Sequence, residues 1–446
     1  MSLDRRSFLC ILASGVAAGA AEARAAAAPR PRDVAGGVDW SAVRDEFTLD
    51  PTWIHLSSFF LVSHPRPVRA AIERWRRRID DNPLVLEELL LAPGGDRPIE
   101  AVKAALAGYL GGRVDELALV PNTTTGLALV YAGLRLRAGQ EVLTTEHDHY
   151  SHHESIRRAV EGTGASVRFV ALHDMPRGSS RTSAAELVAR LERAIRPETR
   201  AVGLTWVHSS TGLKLPIAEM ARVVARANAG RAGADRCLLI VDAVHGVGVE
   251  DVDAASLGAD FMIAGAHKWL LGPRGTGFIW GRSDSWPEVR ATVPTFDFAD
   301  PSIWAAWLAR TPLPVTRASH VSPGGFLAYE HLFAVPEAVA FHRALGRGRV
   351  TRRIGELNQI FRDELAKLPG VVVHTPRDPS LAAGIVAFEV AGLTADDVVA
   401  RLRERRIHAT ASPYAVSFAR VAAGVMNSPA DVEATLAAVH ALARAA

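Results

Sequence analysis

The chain is poor in cysteine, lysine and net charge, and each shortage excludes something. Two cysteines occur in 446 residues, Cys10 and Cys237. Cys10 lies in an N-terminal stretch that reads as a signal, so the mature chain would hold one thiol and no intramolecular disulfide. It sits in no lipoprotein-type cleavage box, and no lipid anchor is expected. Formal net charge is only +3, from 51 basic and 48 acidic side chains. That balance gives no case for an extended nucleic-acid surface. Lysine is confined to Lys103, Lys214, Lys268 and Lys367, so a lysine inside a motif stands out. No run beyond the N-terminus approaches the ~20 apolar residues of a membrane span. With 48% apolar residues, the chain suits a globular protein of two or three domains around a sizeable core.

What is present begins with Asp4-Arg5-Arg6-Ser7-Phe8-Leu9, an Ala-rich apolar stretch through Ala21, and Ala23-Arg24-Ala25 as a small-x-small cleavage site. This is the pattern of a twin-arginine export signal, which removes residues 1–25 from the fold and sends the protein to the periplasm or otherwise out of the cytoplasm. Residues 26–65 read as linker and arm. Residues 66–320 read as a large domain and residues 321–446 as a long helix plus a small C-terminal domain.

Spacing of apolar residues places a helix over Pro67–Arg78. Short apolar runs at Val142–Thr145, Ser166–Val170, Ala201–Val207, Cys237–Val241 and Phe261–Ala264 read as buried strands. Helices over Ala184–Ile195 and Ile217–Ala227 fall between them. That rhythm implies an α/β domain around a mainly parallel sheet. Gly275–Gly281 reads as a strand returning after a tight turn. A long helix is expected over Phe326–Leu345, then strands near Val371 and Ile385 and helices from Ala395 and Pro429, making a smaller α+β domain.

Two polar clusters close apolar strands: Ile240-Val241-Asp242-Ala243-Val244-His245-Gly246 and Ala264-Gly265-Ala266-His267-Lys268-Trp269. In open α/β sheets ligands bind at such strand ends. A carboxylate and a lysine on neighbouring ends need not neutralise each other if a bound pyridine ring separates them. Pro121-Asn122-Thr123-Thr124-Thr125-Gly126 precedes a helical stretch from Leu127 to Leu134, and a helix N-terminus receives phosphate readily.

These clusters resemble the class V aminotransferase family, particularly its isopenicillin N epimerase-like group and, more distantly, the cysteine desulfurases. The resemblance spans roughly residues 50–440. It implies a pyridoxal 5'-phosphate (PLP)-dependent enzyme of fold type I, with a mainly parallel sheet in its large domain. It also implies a homodimer with active sites at the subunit interface. In that family the lysine of the His-Lys pair, here Lys268 after His267, forms the Schiff base; the aspartate, here Asp242, bonds the pyridinium nitrogen. The resemblance places His245 near the cofactor's 3'-oxygen, Thr123 and Thr124 on its phosphate, and His147 stacked on its ring. It puts Ser209, within Trp206-Val207-His208-Ser209-Ser210-Thr211-Gly212, beside the 3'-oxygen where desulfurases carry Asn. Arg420, in Ala419-Arg420-Val421, takes the substrate carboxylate, for which a planar guanidinium is suited.

The chemistry this implies is removal of a proton next to a substrate amine, with the lysine as base. The substrate would be a small-molecule or peptide amine. Transamination-type or side-chain-tailoring chemistry is the first expectation, and the export signal is similar to that of the periplasmic PLP enzyme that tailors the pyoverdine siderophore. Epimerisation stays open. A metal-binding protein built on Glu146-His147-Asp148-His149-Tyr150-Ser151-His152-His153-Glu154 is a rival, although the spacing fits no standard zinc pattern and no metal is expected. His149, His152 and His153 read as helix-surface or dimer-contact residues. Departures from the family are Gly265 in place of a phosphate-binding Ser, Ser322-Pro323-Gly324-Gly325 in place of a Gly-Thr stretch, and His55-Leu56-Ser57-Ser58-Phe59-Phe60 in place of an Asn/Gly-rich loop.

Overall fold

Alternation is the signature of the central sheet: one set of strand residues packs on one face and the set between them packs on the other. The computed structural model describes residues 33–34, 37–91, 97–174, 176–297 and 300–445; residues 1–25, expected from the sequence to be an export signal, lie outside them. Seven strands form the large sheet: β1 (Leu117–Val120), β2 (Glu141–Thr145), β3 (Ser166–Val170), β4 (Thr199–Thr205), β5 (Leu238–Asp242), β6 (Phe261–Gly265) and β7 (Gly277–Gly281). Leu239, Val241, Met262 and Ala264 join one buried cluster, while Leu238, Ile240, Phe261 and Ile263 join the other. Both faces are therefore covered, as expected of parallel strands. The four apolar residues Leu238–Val241 are at most 1% exposed, a gross burial of roughly 6–12 kcal/mol before entropy is charged.

Strand order is β1-β7-β6-β5-β4-β2-β3. Strands β3, β2, β4, β5 and β6 run parallel. The returning strand β7 pairs antiparallel with β6 and with β1. Helices α1 (Arg66–Asp81), α2 (Pro98–Leu110), α3 (Thr123–Gly133), α4 (Tyr150–Val160), α5 (Ala184–Ala194) and α6 (Ile217–Ala227) belong to the large domain. Helix α6 buries Ile217, Met220, Ala221 and Val224, an i, i+3, i+4, i+7 stripe. Helix α5 starts where the Ser183 side chain accepts from the Glu186 N–H, satisfying one orphan donor of its first turn.

The long helix expected over Phe326–Leu345 is broken. A single turn at Tyr329–Leu332 is followed by α7 (Val335–Leu345), and the long helix is α8 (Arg347–Leu365). Pro336 stands in the first turn of α7, where its missing N–H is harmless; further inside a helix it would remove a bond. Gly346, at φ 86°, separates α7 from α8. The smaller sheet has order β8-β9-β11-β10, from β8 (Val371–Val373), β9 (Val386–Val390), β10 (Thr410–Ala411) and β11 (Ala419–Val421), with α9 (Ala395–Glu404) and α10 (Pro429–Ala445) beside it. Ile54–His55 pairs in parallel with Ile407–His408 as a separate two-stranded sheet, so the arm is stitched to the small domain. Among the described residues no helix is long and apolar enough to cross a membrane.

Candidate active site

The C-terminal ends of β6, β5, β4 and β2 lie side by side and deliver the polar residues. Asp242 closes β5 and is 3% exposed. Its Oδ1 accepts from the Val244 N–H at 3.0 Å. Burial outweighs that bond and the Lys268 charge, pushing the carboxyl up to about 6. Lys268 follows β6; burial pulls its amine down to about 8, against the pull of Asp242 in the other direction. Lysine at that value carries an appreciable neutral, nucleophilic fraction near neutral pH. No ion pair joins the two among the described residues. His245 stands between Trp269 and Lys268: its Nδ1 accepts from Trp269 Nε1 at 3.3 Å, and its Nε2 lies 3.4 Å from Lys268 Nζ. Burial keeps this imidazole neutral, so Nε2 carries the proton and points it at the amine.

Arg420 reaches the same place from β11 in the small domain. Its Nη1 donates to the Ser209 carbonyl at 2.6 Å, Nη2 to the Ala411 carbonyl at 3.0 Å and Nε to Thr410 Oγ1 at 3.2 Å. Phe59 covers the guanidinium face at 4.8 Å and tilts against His245. The departing loop at residues 55–60 thus supplies a wall of the site. Three of five N–H donors are spent, leaving two. Ser209 Oγ is 2.7 Å from the Tyr414 hydroxyl, and the Tyr414 ring meets His149 edge-on at 6.0 Å. Tyr414 was not legible from spacing; its position in the loop joining β10 to the Arg420 strand was the available signal.

The histidines after β2 are distributed, not gathered. His147 stacks on His173, centroids 3.8 Å apart and planes 7° from parallel. Burial holds His147 well below its ordinary value, so it presents a neutral flat ring. His173, at the end of the β3 side and absent from the sequence reading, backs it. His152 is not a surface residue: it is fully buried, with Nε2 at 2.6 Å from the Tyr131 hydroxyl. His153 Nε2 bonds the Thr145 carbonyl at 2.8 Å, and His149 caps α4 by accepting from the Ser151 N–H. His208 is buried with neither ring nitrogen partnered, so it is not a satisfied loop histidine. Among the described residues no three His, Cys, Asp or Glu side chains are arranged to hold a metal.

The other flank receives the start of α3. Asn122 caps it, accepting from the Thr125 N–H at 2.8 Å. A Cβ on Gly277 would lie 2.8 Å from the Ala264 carbonyl and 3.3 Å from Asn122 Cα, so this helix end is packed against the ends of β6 and β7. Thr123 is buried with its hydroxyl unpartnered, while Thr124 on the same turn is exposed. The Gly265 departure has a local cause. A Cβ there would come within 2.6 Å of the His267 ring, so that imidazole occupies the space a serine side chain would need. Ser322 Oγ is already taken by the Leu119 N–H at 2.9 Å.

An orphaned hydroxyl at a helix N-terminus, a buried carboxylate with one backbone donor and a lysine between them fit a phosphorylated pyridine aldehyde. Comparison with known proteins agrees. The chain is 30% identical over 357 residues to an isopenicillin N epimerase of Amycolatopsis lactamdurans, covering 79% of this chain and 84% of that protein. Its counterpart in Streptomyces clavuligerus is 28% identical with the same coverage. A probable cysteine desulfurase of Methanothermobacter thermautotrophicus is 23% identical over 375 residues, covering 81% of this chain and 84% of that one. Among solved structures, a C-DES mutant with glycine covalently linked to its PLP cofactor superposes with a TM-score of 0.77 at 21% identity, covering 89% of this chain and 98% of that one. The fold is therefore that of PLP-dependent fold type I enzymes. Residues 96–434 match the family described as aminotransferase class-V, and the chain belongs to that family.

Proposed function

We propose that this protein acts on the amino group of an amino-acid or peptide-derived substrate, holding PLP through Lys268, as a homodimer outside the cytoplasm. The observation that carries the reading is the unpaired placement of Lys268 and Asp242 on adjacent strand ends, each pushed by burial toward its neutral form. When bound, the cofactor supplies an electron sink for the carbon that bears the amine. Asp242 would hold the proton on the ring nitrogen. Thr123, Thr124 and His267 would meet the phosphate. His147 would offer its flat face to the ring, with His245 and Ser209 nearest the 3'-oxygen. Arg420 keeps two N–H donors for a substrate carboxylate. Lys268, poised near neutrality, takes the proton from the neighbouring carbon.

Sulfur transfer of the desulfurase type fits poorly. It needs an accessible thiolate, and Cys237 is fully buried, with its thiol pushed up to about 12 by burial. It also precedes β5 at the end opposite Asp242, about five residues or ~16 Å away. Transamination-type or side-chain-tailoring chemistry is the first reading. Epimerisation is the second, supported by the two epimerase relatives. For the dimer, Phe60 and Tyr150, next in chain to the site residues Phe59 and His149, are 69% and 71% exposed, and Phe326 is 86% exposed. A second copy would cover this apolar surface.

Borohydride treatment of protein loaded with PLP should fix the cofactor on the peptide containing Lys268, and Lys268→Ala should remove both that adduct and the visible absorbance. A wild type that stays colourless with added PLP would end this reading. Export is separable: replacing Arg5 and Arg6 by lysine should leave the precursor in the cytoplasm, because guanidinium identity and not charge is read. Unimpaired export of that double variant refutes the twin-arginine assignment.

A further inference from the structure

Asp242 has a different neighbour on each side. Along the strand order, Lys268 follows β6 on one side of it, whereas Ser209 follows β4 and His149 follows β2 on the other. Three strand steps of ~4.8 Å separate β6 from β2, with the Asp242 strand between. The small domain sends Tyr414 to the second side, where its hydroxyl lies 2.7 Å from Ser209 Oγ and its ring meets His149 edge-on. The Tyr414–Ser209 hydroxyl pair thus stands on the flank of Asp242 away from the strand that carries Lys268.

We propose that Tyr414 is the group that gives and takes a proton at the substrate carbon on the side opposite Lys268. The proposal rests on the reading that PLP binds Lys268. In one direction the C–H bond breaks and its proton passes to the neutral Lys268 amine. The electron pair stays with the substrate until Tyr414 O–H gives its proton to the same carbon from the other side. That leaves ammonium and phenolate, which exchange a proton through solvent to restore the starting state. No oxidant or reductant is needed. Ser209 O–H can donate to the phenolate, and the Arg420 guanidinium bonded to the Ser209 carbonyl lies close enough to stabilise it. Burial raises the phenol to about 12, so at rest it is a proton donor. Proton delivery from both sides inverts the carbon, which deepens the second reading, epimerisation.

The chain has five tyrosines, so ring-labelled tyrosine gives a resolvable NMR spectrum in which Tyr414→Phe identifies one resonance. That resonance should move when PLP is added to the cofactor-free protein; a resonance that does not move overturns the proposal. The second measurement is α-deuterium incorporation from D2O into both enantiomers of a panel of common amino acids. Wild type should label both enantiomers of at least one acid. Tyr414→Phe should keep the visible absorbance and label one enantiomer only, with interconversion slowed at least about 100-fold. A wild type that labels one enantiomer or neither, or a Tyr414→Phe variant that still labels both, removes the role of Tyr414. Absence of visible absorbance in wild type removes instead the underlying reading of Lys268.

Discussion

Two buried aspartates stand at the C-terminal ends of strands of the same sheet, Asp242 as the last residue of β5 and Asp148 beyond the end of β2, and their surroundings are opposite. Asp148, just beyond β2, is saturated: Oδ2 accepts from Thr144 Oγ1 at 2.8 Å and the Thr145 N–H at 2.9 Å, and Oδ1 from the Thr205 N–H at 2.9 Å. Burial acts to raise it, but nearby His152 and His208 and these donors more than offset that, leaving it low, at about 2. Asp242 has one backbone donor and stands at about 6. Equal burial with unequal satisfaction separates a carboxylate that holds β2 to β4 from one kept for a partner from outside the chain. Buried polar groups are ordinarily bonded. The exception marks the place where a bound group would complete the set.

The comparison breaks most sharply if the two are exchanged for asparagine. Asp148→Asn must turn an amide N–H₂ toward a backbone N–H, costing about 3 kcal/mol of stability. Asp242→Asn removes a carboxylate whose burial outweighs the Lys268 charge and its one backbone donor, so the cofactor-free protein should gain up to about 3 kcal/mol at pH 7.5 while losing turnover with PLP bound. The pH dependence has opposite signs. An acid raised from 3.8 to about 6 binds more protons folded than unfolded in that interval, so its contribution falls as pH rises through it. An acid lowered from 3.8 to about 2 loses its contribution as pH falls through that interval. Thermal unfolding of the cofactor-free variants between pH 3 and 8 reads both. Equal destabilisation by the two substitutions at pH 7.5 would show that Asp242 is as well satisfied as Asp148.

Asp242 and Lys268 were legible in the sequence because each follows a run of buried apolar residues, and a lysine is conspicuous where only four occur. The strands themselves were legible for the same reason, and Ser166–Val170 falls on its expected bounds. Short strands without a long apolar run were not: β1, four residues between a polar turn and Pro121, went unread, as did β10 and β11. The satisfaction of Asp148 is invisible to spacing, since its third donor, Thr205, lies 57 positions away. Tyr414 and His173 were missed for a related reason. Both come to the site by packing between distant segments, and neither stands in a pattern of its own. The helix at Phe326–Leu345 failed because apolar composition outweighed Pro336 and Gly324-Gly325 in the reading.

The smallest test uses two buried threonines and one substitution. Thr144 and Thr123 are both buried, but the Thr144 hydroxyl donates to Asp148 at 2.8 Å while the Thr123 hydroxyl has no partner. Thr144→Val should lower stability by about 1–2 kcal/mol, because it leaves a carboxylate short of a donor, and should leave PLP affinity unchanged. Thr123→Val removes a hydroxyl that the cofactor-free fold does not use, so stability should hold or rise by a few tenths of a kcal/mol. If that hydroxyl meets the cofactor's phosphate, PLP affinity should fall by about 10-fold, the worth of one hydrogen bond to a charged group. Titration of each variant with PLP, followed by visible absorbance, and thermal unfolding without it give the four numbers. A Thr123→Val variant with wild-type affinity would move the phosphate away from this turn of α3 and leave its first-turn hydroxyl as an unexplained cost of the fold.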